Sequence, residues 1–335
     1  MKESTFRILL IALLLILIVG FFDFSIRFMK VASQMQEALA HLSSQPKSPS
    51  MVKSLETALP PIADARDCID RALSAVAKLE PMSQSENHSL KAGGKTVVGR
   101  SDDFLRLRTV EEIRQSNQSC GCGDCAILFA DQVRKNGYEV LLIDGAELSI
   151  SSLISEWSGH AVAAVQDADQ ERWILVDPTA KRIVDDNWDP ESKEFLDHYW
   201  IGFIGPAEDY PVHGPDQLRK FYHDTLQSVP DDVWNQKIIG LNIVVDDSMK
   251  NPDGSLANPN IPNLIQMISS TLKKRTIEPE RTETILLTRG DDDALASIEG
   301  KSEKGWICKT GTQAALSPGF IRYLESYLWN HAEKS

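Results

Sequence analysis

The sequence has little positive charge for its length. Its 335 residues include 35 Lys and Arg against 48 Asp and Glu, which gives a formal net charge of −13. Such a surface repels a phosphate backbone, and no Lys/Arg-rich stripe stands out against it. We therefore expect no nucleic-acid partner.

Cysteine is also scarce, and it is unevenly placed. Of five cysteines, Cys68 and Cys308 are isolated, whereas Cys120, Cys122 and Cys125 share one short stretch. An odd count in a long chain excludes a disulfide framework of the kind that holds small secreted domains. The cluster of three therefore needs a chemical explanation.

Long apolar runs are absent except for one near the N terminus. Residues 8–22 (ILLIALLLILIVGFF) carry no charge, and apolar residues continue to position 26. A membrane-spanning helix needs about 20 such residues, and flanking basic side chains can extend a shorter run. A cleaved signal peptide is the alternative, but the nearest small-residue site, at 38–40, lies too far downstream. We predict a single-pass anchor at residues 1–30, embedded through residues 8–26.

The orientation of this anchor is only weakly encoded. Basic residues flank the apolar run almost equally, so the positive-inside comparison is nearly tied. Because a short N-terminal tail usually stays in the cytosol, we expect the rest of the chain on the extracytoplasmic side, which in a bacterium is the periplasm.

Residues 31–95 are predicted to form a helical stalk and linkers. Apolar residues recur at spacings of three and four from Phe28 to Leu42, which indicates a helix. This helix could self-associate or pack against the body of the chain, since it is too short to argue a coiled coil. A Ser/Pro-rich linker follows at 43–54, an amphipathic helix begins near Asp64, and residues 84–94 read as a loop.

Helix and strand patterns alternate between residues 96 and 215 and become weaker beyond. The alternation predicts mixed helices and strands, and we assign residues 216–335 to a C-terminal α/β extension of unknown role. The predicted elements are a helix at 126–135, strands at 138–143, 160–165, 173–176, 237–245 and 284–288, a loop at 251–262 and a helix at 319–329.

The cysteine cluster admits three interpretations. Three thiolates, completed by His160, could bind zinc, although the spacing lacks the usual pair of Cys-x2-Cys knuckles. A disulfide between Cys120 and Cys125 would suit an extracytoplasmic protein but would leave Cys122 unpaired. The third interpretation makes Cys122 a nucleophile at the start of the predicted helix, where unsatisfied N–H groups stabilise a thiolate.

A thiolate nucleophile needs a base and a group that orients the base, and the predicted hairpin offers both. If its turn is centred on Ala168-Asp169, His160 lies directly opposite Asp177. Directly opposed residues share a face of the sheet, with Cβ atoms about 4.5–5.5 Å apart. Taken singly, each residue has a structural explanation: a strand His, a turn-forming Asp before Pro, and a buried Cys. Their combination favours a catalytic site.

At these positions the sequence resembles the transglutaminase-like superfamily of papain-like thiol enzymes. Residues 121–129 (GCGDCAILF) match its nucleophile pattern of Cys, any residue, Asp, any residue, Ala and apolar residues. Residues 159–162 (GHAV) are similar to its base-bearing strand, and residues 173–179 (WILVDPT) to its W…DPT segment. The resemblance covers about residues 97–215. The chain departs from the family at Ala161 and Val162, where an aromatic residue is common, so specificity does not carry over.

The resemblance implies an α+β fold in which a helix bearing the Cys packs on an antiparallel sheet bearing the His and the Asp. It assigns Cys122 as nucleophile, His160 as general base and Asp177 as its orienting acid, in a catalytic domain at residues 96–215. Gln118 and Gln115 are candidate oxyanion donors on chemistry alone.

The chemistry implied is acyl transfer through a thioester, without a cofactor. We expect hydrolysis of a peptide or other amide bond, with a peptide or protein substrate. Crosslinking to an amine stays open, although no calcium-binding loop is visible and the acidic run at 291–293 is more simply a solvated turn. The alternative function is a binding or assembly protein that keeps the fold without turnover.

Overall fold

The computed structural model describes residues 64–155, 158–290, 296–312, 314 and 316–331. The predicted anchor at 1–30, the stalk helix and linker up to residue 54, and the acidic turn at 291–293 lie outside these residues. Within the described part of the chain, no helix is long and apolar enough to cross a membrane. Residues Ile62–Ser335 form one compact unit.

The helices follow the apolar periodicities of the sequence. Helix α1 confirms the amphipathic helix predicted from Asp64, whose side chain caps the helix by accepting a hydrogen bond from the Asp67 N–H at 2.8 Å. The helices of the described residues are α1 (Ala65–Val76), α2 (Val110–Ser116), α3 (Cys122–Lys135), α4 (Ile150–Ser155), α5 (Pro215–Gln227), α6 (Asp231–Lys237), α7 (Ile261–Lys274) and α8 (Pro318–His331).

The strands form a central antiparallel sheet, a C-terminal mixed sheet and two small two-stranded pairs. In chain order they are β1 (Glu80–Pro81), β2 (His88–Ala92), β3 (Lys95–Gly99), β4 (Gln118–Ser119), β5 (Val140–Glu147), β6 (Gly159–Asp167), β7 (Arg172–Asp177), β8 (Arg182–Trp188), β9 (Glu194–Phe195), β10 (Tyr199–Gly205), β11 (Ile239–Val245), β12 (Arg281–Arg289), β13 (Ser297–Ser302) and β14 (Gly305–Thr310).

The central sheet has the order β8-β7-β6-β5-β10-β9, with antiparallel neighbours throughout. Helix α3 packs on β5 and β6, with α1 and α2 against it. Fully buried apolar side chains from α1, α3 and the sheet, such as Ile69, Phe129 and Ile174, form the core between these layers. This packing fixes the start of α3 over the sheet.

The register of the β6–β7 hairpin differs from the one that we predicted. Ala163 pairs with Val176, whereas a turn centred on Ala168-Asp169 would pair it with Ile174. The turn extends further because residues 168–170 form a short 3₁₀ segment and Glu171 adopts a left-handed conformation with φ 50°. His160 and Asp177 are therefore not directly opposed. A shift of two residues nevertheless keeps them on one face, since side chains alternate with period two.

The segment at 84–94 was predicted to be a loop and contains a strand. Strands β2 and β3 form a hairpin around Gly93 and Gly94, whose φ angles are 59° and 79°. Two adjacent positive φ angles define the tight turn whose twist matches antiparallel strands, and glycine adopts them without strain. The loop prediction is wrong because a glycine pair also forms the tight turn of a β-hairpin.

The remaining boundaries shift by a few residues. Helix α3 starts at Cys122 instead of 126, and β5 runs on to Glu147 instead of ending at 143. Lys237, predicted to begin a strand, ends helix α6. The predicted boundary at 215/216 falls at the first residue of α5, and residues on both sides of it contribute to one hydrophobic cluster. The domain limits themselves stay a prediction.

Candidate active site

Cys122 is the first residue of helix α3, the helix that packs on strands β5 and β6. Gly121 precedes it as N-cap with φ 152° and ψ −164°, a conformation that favours glycine. The N–H groups of a first helical turn have no acceptor within the helix, so they are available to stabilise a negative charge. The sulfur is partly buried beside them.

The central sheet brings His160 and Asp177 together in front of this sulfur. His160 Nε2 lies 3.0 Å from Asp177 Oδ2, and the His160 ring is near enough to the Cys122 thiol to lower its pKa. Asp177 Oδ1 is held by the backbone N–H groups of Thr179 and Ala180, both at 3.0 Å. Because a carboxylate only accepts, Nε2 carries the proton of that bond and the other ring nitrogen is left to take the thiol proton.

The protonation states in this group are strongly perturbed. Burial raises the pKa of the Cys122 thiol, but the positive charge of Arg106 and the hydrogen bond and charge of His160 outweigh it and lower that pKa to about 7. Burial lowers the pKa of His160, whereas its hydrogen bonds with Asp177 and Cys122 raise it to about 10. The site therefore holds a thiolate–imidazolium pair between these two values.

The pKa of the Asp177 carboxyl lies below its usual range. Burial raises this pKa, but the hydrogen bond with the His160 ring and the charge of that ring outweigh burial, and the two backbone donors lower it further. Asp177 is therefore ionised at neutral pH, where His160 is protonated.

A buried arginine that the sequence analysis missed lies on the other side of the sulfur. Arg106 Nη2 is 3.9 Å from Cys122 Sγ and 2.6 Å from Asp144 Oδ2. Its Nε donates to the Tyr210 hydroxyl at 3.1 Å, and the hydroxyls of Tyr210 and Tyr222 both donate to Asp144. The side chains of Arg106 and Asp144 are 2% and 0% exposed. We refer to these four residues as the Arg106 cluster.

One signal in the sequence could have located this cluster. Asp144 directly follows the apolar run of β5 and lies within the buried part of that strand, where a charge requires a partner. The local sequence does not identify Arg106 as the partner of Asp144. Arg106 lies in a loop, 38 residues before Asp144 in the chain.

Gly123, the second residue of α3, makes room for the arginine. A Cβ atom at this position would lie 1.1 Å from Arg106 Nη1 and 2.3 Å from its Cζ. No side chain larger than glycine fits while the guanidinium keeps its place. The Gly-Cys-Gly sequence therefore serves two different purposes: backbone conformation at Gly121 and space at Gly123.

The other two cysteines of the cluster have different surroundings. Cys120 Sγ donates to Asp124 at 3.1 Å, and Cys125 Sγ lies 3.3 Å from the Ser119 hydroxyl. Burial raises the pKa of both thiols. All five cysteines are free, and in the described part of the chain no three or more metal-ligating side chains come together. The structure thus favours the nucleophile interpretation over the disulfide and zinc interpretations.

The two candidate oxyanion glutamines lie away from the recess that contains Cys122. Gln115 Nε2 bonds Glu111 on an exposed face of α2. Gln118 belongs to the short strand β4, and its carbonyl accepts a hydrogen bond from Arg108. The recess is lined instead by Gln84, among other residues. The structure does not bring Gln115 or Gln118 to the sulfur.

Two separate depressions border the site. A cleft of about 1010 Å³ is lined by His160 and Asp177 together with residues of β8–β10 and of α8. A smaller recess of about 270 Å³ is lined by Cys122 and Arg106. The reacting groups thus stand between a large depression on the His160 side and a small one on the Cys122 side.

Comparison with known proteins gives limited results. No family model matches the chain, and no curated protein sequence matches it. Among solved structures, Legionella pneumophila LapG is 14% identical, with 47% of this chain and 78% of that chain covered and a TM-score of 0.29. Its calcium-bound form is 13% identical, with 47% and 77% covered and a TM-score of 0.26. TM-scores below 0.5 leave the assignment of the site to its own geometry.

Proposed function

We propose that this chain is a thiol enzyme that hydrolyses a peptide or another amide through a thioester on Cys122. The observation that carries the proposal is the pair of His160 and Asp177, 3.0 Å apart, together with a cysteine at a helix start whose pKa the charges of Arg106 and His160 lower. The resemblance to transglutaminase-like thiol enzymes supports it at the same three residues.

The steps follow from the protonation states. The Cys122 thiolate attacks the carbonyl carbon, and the π-electrons move to the oxygen, facing the N–H groups at the start of α3. As the tetrahedral species collapses, the C–N bond breaks and the departing amine takes the proton of the His160 imidazolium. Water then attacks the thioester and gives a proton back to His160, and the thiolate leaves.

The two depressions suggest how a substrate lies. Because the departing amine takes its proton from His160, the amine portion belongs on the His160 side, in the large cleft. The acyl portion then occupies the smaller recess beside Cys122. Depressions on both sides of the reacting groups suit a chain that continues in both directions, which is why we favour a peptide or protein substrate.

We also propose that the enzyme is tethered to a membrane through residues 8–26, with its body on the extracytoplasmic side. The uncharged run in the sequence supports this proposal. Carbonate extraction of membranes from cells that produce the full chain, compared with a chain starting at residue 31, tests it. Release of both chains to the same extent would contradict it.

Trapping an acyl group on Cys122 tests the proposed chemistry. The full chain is incubated with a peptide library and quenched in acid, and both the peptides and the Cys122-containing fragment are examined by mass spectrometry. We expect cleaved peptides and a matching acyl adduct, both absent in Cys122→Ala and present in the control Cys68→Ala, whose thiol is buried in the α1 core. Added methylamine distinguishes water from amine as acceptor. Absence of both cleavage and adduct would favour the binding or assembly protein.

A further inference from the structure

We infer that Arg106 is a further residue of the reaction, whose buried charge, anchored by Asp144, holds the Cys122 sulfur as a thiolate. Its part in turnover rests on the proposed function, whereas its effect on the sulfur is measurable without any substrate.

The geometry gives the guanidinium two partners at once. Nη2 lies 2.6 Å from Asp144 Oδ2 and 3.9 Å from Cys122 Sγ, so the arginine stands between an anion and the sulfur. Its side chain is 2% exposed. At such burial neither water nor salt screens the charge effectively, so its attraction for a thiolate is much stronger than at a surface.

Asp144 does not cancel this effect. Its carboxylate is shared among the guanidinium and the hydroxyls of Tyr210 and Tyr222, which spreads its negative charge over several donors. Asp144 raises the pKa of Cys122, but Arg106 lowers it by more. The carboxylate therefore acts chiefly as the anchor that keeps the arginine in a buried position.

Arg106 supplies a positive charge that persists through the whole reaction, which His160 cannot supply. The imidazolium must give its proton to the departing amine, whereas a guanidinium stays protonated throughout. When water breaks the thioester, sulfur leaves as an anion beside this fixed positive charge. The small size of Gly123, over which Nη1 lies, leaves that position to the arginine.

The charge balance at the sulfur involves a small set of groups. The strongest influences on the sulfur are two cations and one anion, and three further titratable neighbours are neutral near pH 7 because burial raises their pKa. The cations are Arg106 and His160, the anion is Asp144, and the neutral neighbours are Cys125, Tyr199 and Tyr222. Ionised Asp177 pairs with His160, and Asp102 and Arg322 line the same recess as Cys122.

The test measures the pH midpoint of Cys122 alkylation in the full chain. Iodoacetamide is applied in short pulses between pH 5 and pH 10, and the modified Cys122 peptide is quantified by mass spectrometry. The variants are Asp144→Asn, Arg106→Lys and the pair Arg106→Met with Asp144→Asn. The matched control, Arg108→Met with Asp124→Asn, removes another buried ion pair at the start of α3. Its aspartate lies in the first turn of that helix, and its arginine contacts Met82, Ser116 and the Gln118 carbonyl instead of the sulfur.

The expected shifts have opposite signs. Asp144→Asn moves the midpoint down, because it removes an anion while the amide oxygen can still accept from Arg106 and hold it in place. Compared with Asp144→Asn, the double variant Arg106→Met with Asp144→Asn moves the midpoint up by about one pH unit or more. Below the midpoint, this shift corresponds to an about tenfold lower thiolate fraction. Arg106→Lys keeps the charge and moves the midpoint less. The control pair leaves it near wild type, which a merely structural role would not predict.

Two results would overturn the inference: equal midpoints in the Arg106→Met pair and in Asp144→Asn, or equal shifts in the Arg106→Met pair and in the control pair. If the Arg106→Met pair does not fold, Asp144→Asn and Arg106→Lys decide, because an unchanged midpoint in Asp144→Asn contradicts the electrostatic account. Shifts as expected in a wild-type chain that cleaves no peptide would refute the proposed function and leave the charge effect standing.

Discussion

Replacing Gly123 with alanine should both destabilise the fold and raise the pKa of the Cys122 thiol. The new Cβ would stand 1.1 Å from Arg106 Nη1, so the guanidinium must move. It is 2% exposed and its Nη2 bonds Asp144 at 2.6 Å, so a displacement weakens that ion pair. Displacing it withdraws positive charge from the sulfur.

The change in the free energy of unfolding of Gly123→Ala is the balance of two opposing effects. Alanine is favoured over glycine inside a helix by about 0.5–1 kcal/mol. An extra methyl group in a filled site costs about 1–3 kcal/mol, and a weakened buried ion pair adds to that cost. We expect a net loss of roughly 1–3 kcal/mol in the free energy of unfolding.

Gly319→Ala is the matched control. Gly319 is also the second residue of its helix, α8, but the nearest atom to its Cβ would be Ser317 Oγ at 3.5 Å, an ordinary contact. This variant should be as stable as wild type or slightly more stable. Urea denaturation followed by circular dichroism gives the stabilities, and iodoacetamide alkylation against pH gives the thiol midpoint. Equal stability of the two variants, with an unchanged midpoint in Gly123→Ala, would refute the placement of Arg106 over the helix start.

Three further predictions concern the reacting groups and the core. Turnover should rise through about pH 7, where Cys122 ionises, and fall through about pH 10, where His160 loses the proton that the departing amine needs. Measurement of kcat/KM against pH checks this prediction. A value that still rises beyond pH 10 contradicts it. Asp177→Asn should lower the pKa of His160, measured by NMR titration, and reduce kcat by about 10²–10⁴-fold. The asparagine Oδ1 can still accept from the Thr179 N–H, so the turn is preserved. An unchanged His160 titration would argue against the orienting role of Asp177. Phe129→Ala should cost about 3–5 kcal/mol in the free energy of unfolding because the ring is fully buried; denaturant melts measure it, and a cost below about 1 kcal/mol would mean that the α3 core packs differently.

Much of the local structure could be predicted because its causes are local. The apolar spacing and the cap at Asp64 specify α1, and the alternating apolar residues from 160 to 165 specify β6. Two failures, at the Gly93-Gly94 hairpin and at the turn of the β6–β7 hairpin, concern local turn geometry, and another depends on a contact at long range. Strand β5 continues past Ile143 because Asp144, a charge that ends the apolar run, is paired with an arginine from another part of the chain.

The candidate triad was accessible from the sequence for a specific physical reason. Cys122 was recognisable from the helix that follows it, and His160 and Asp177 from two strands joined by a short turn. The turn was centred wrongly, yet the pair still meets, since a register error of two residues preserves the face on which side chains point. An error of one residue would have separated them.

Periodicity and caps act between near neighbours, and from them the sequence predicts part of the fold: helices α1, α3 and α8 and strands β5, β6, β7, β11 and β12. The same local signals predict a cysteine at a helix start and the face of the sheet that carries its partners. The placement of the Arg106 cluster beside the Cys122 sulfur depends on long-range packing. The Arg106 cluster joins three distant parts of the chain, and a buried charge pair of this kind has no signature in local spacing. Its members meet only when the loop before α2, strand β5 and the segment around α5 are packed together.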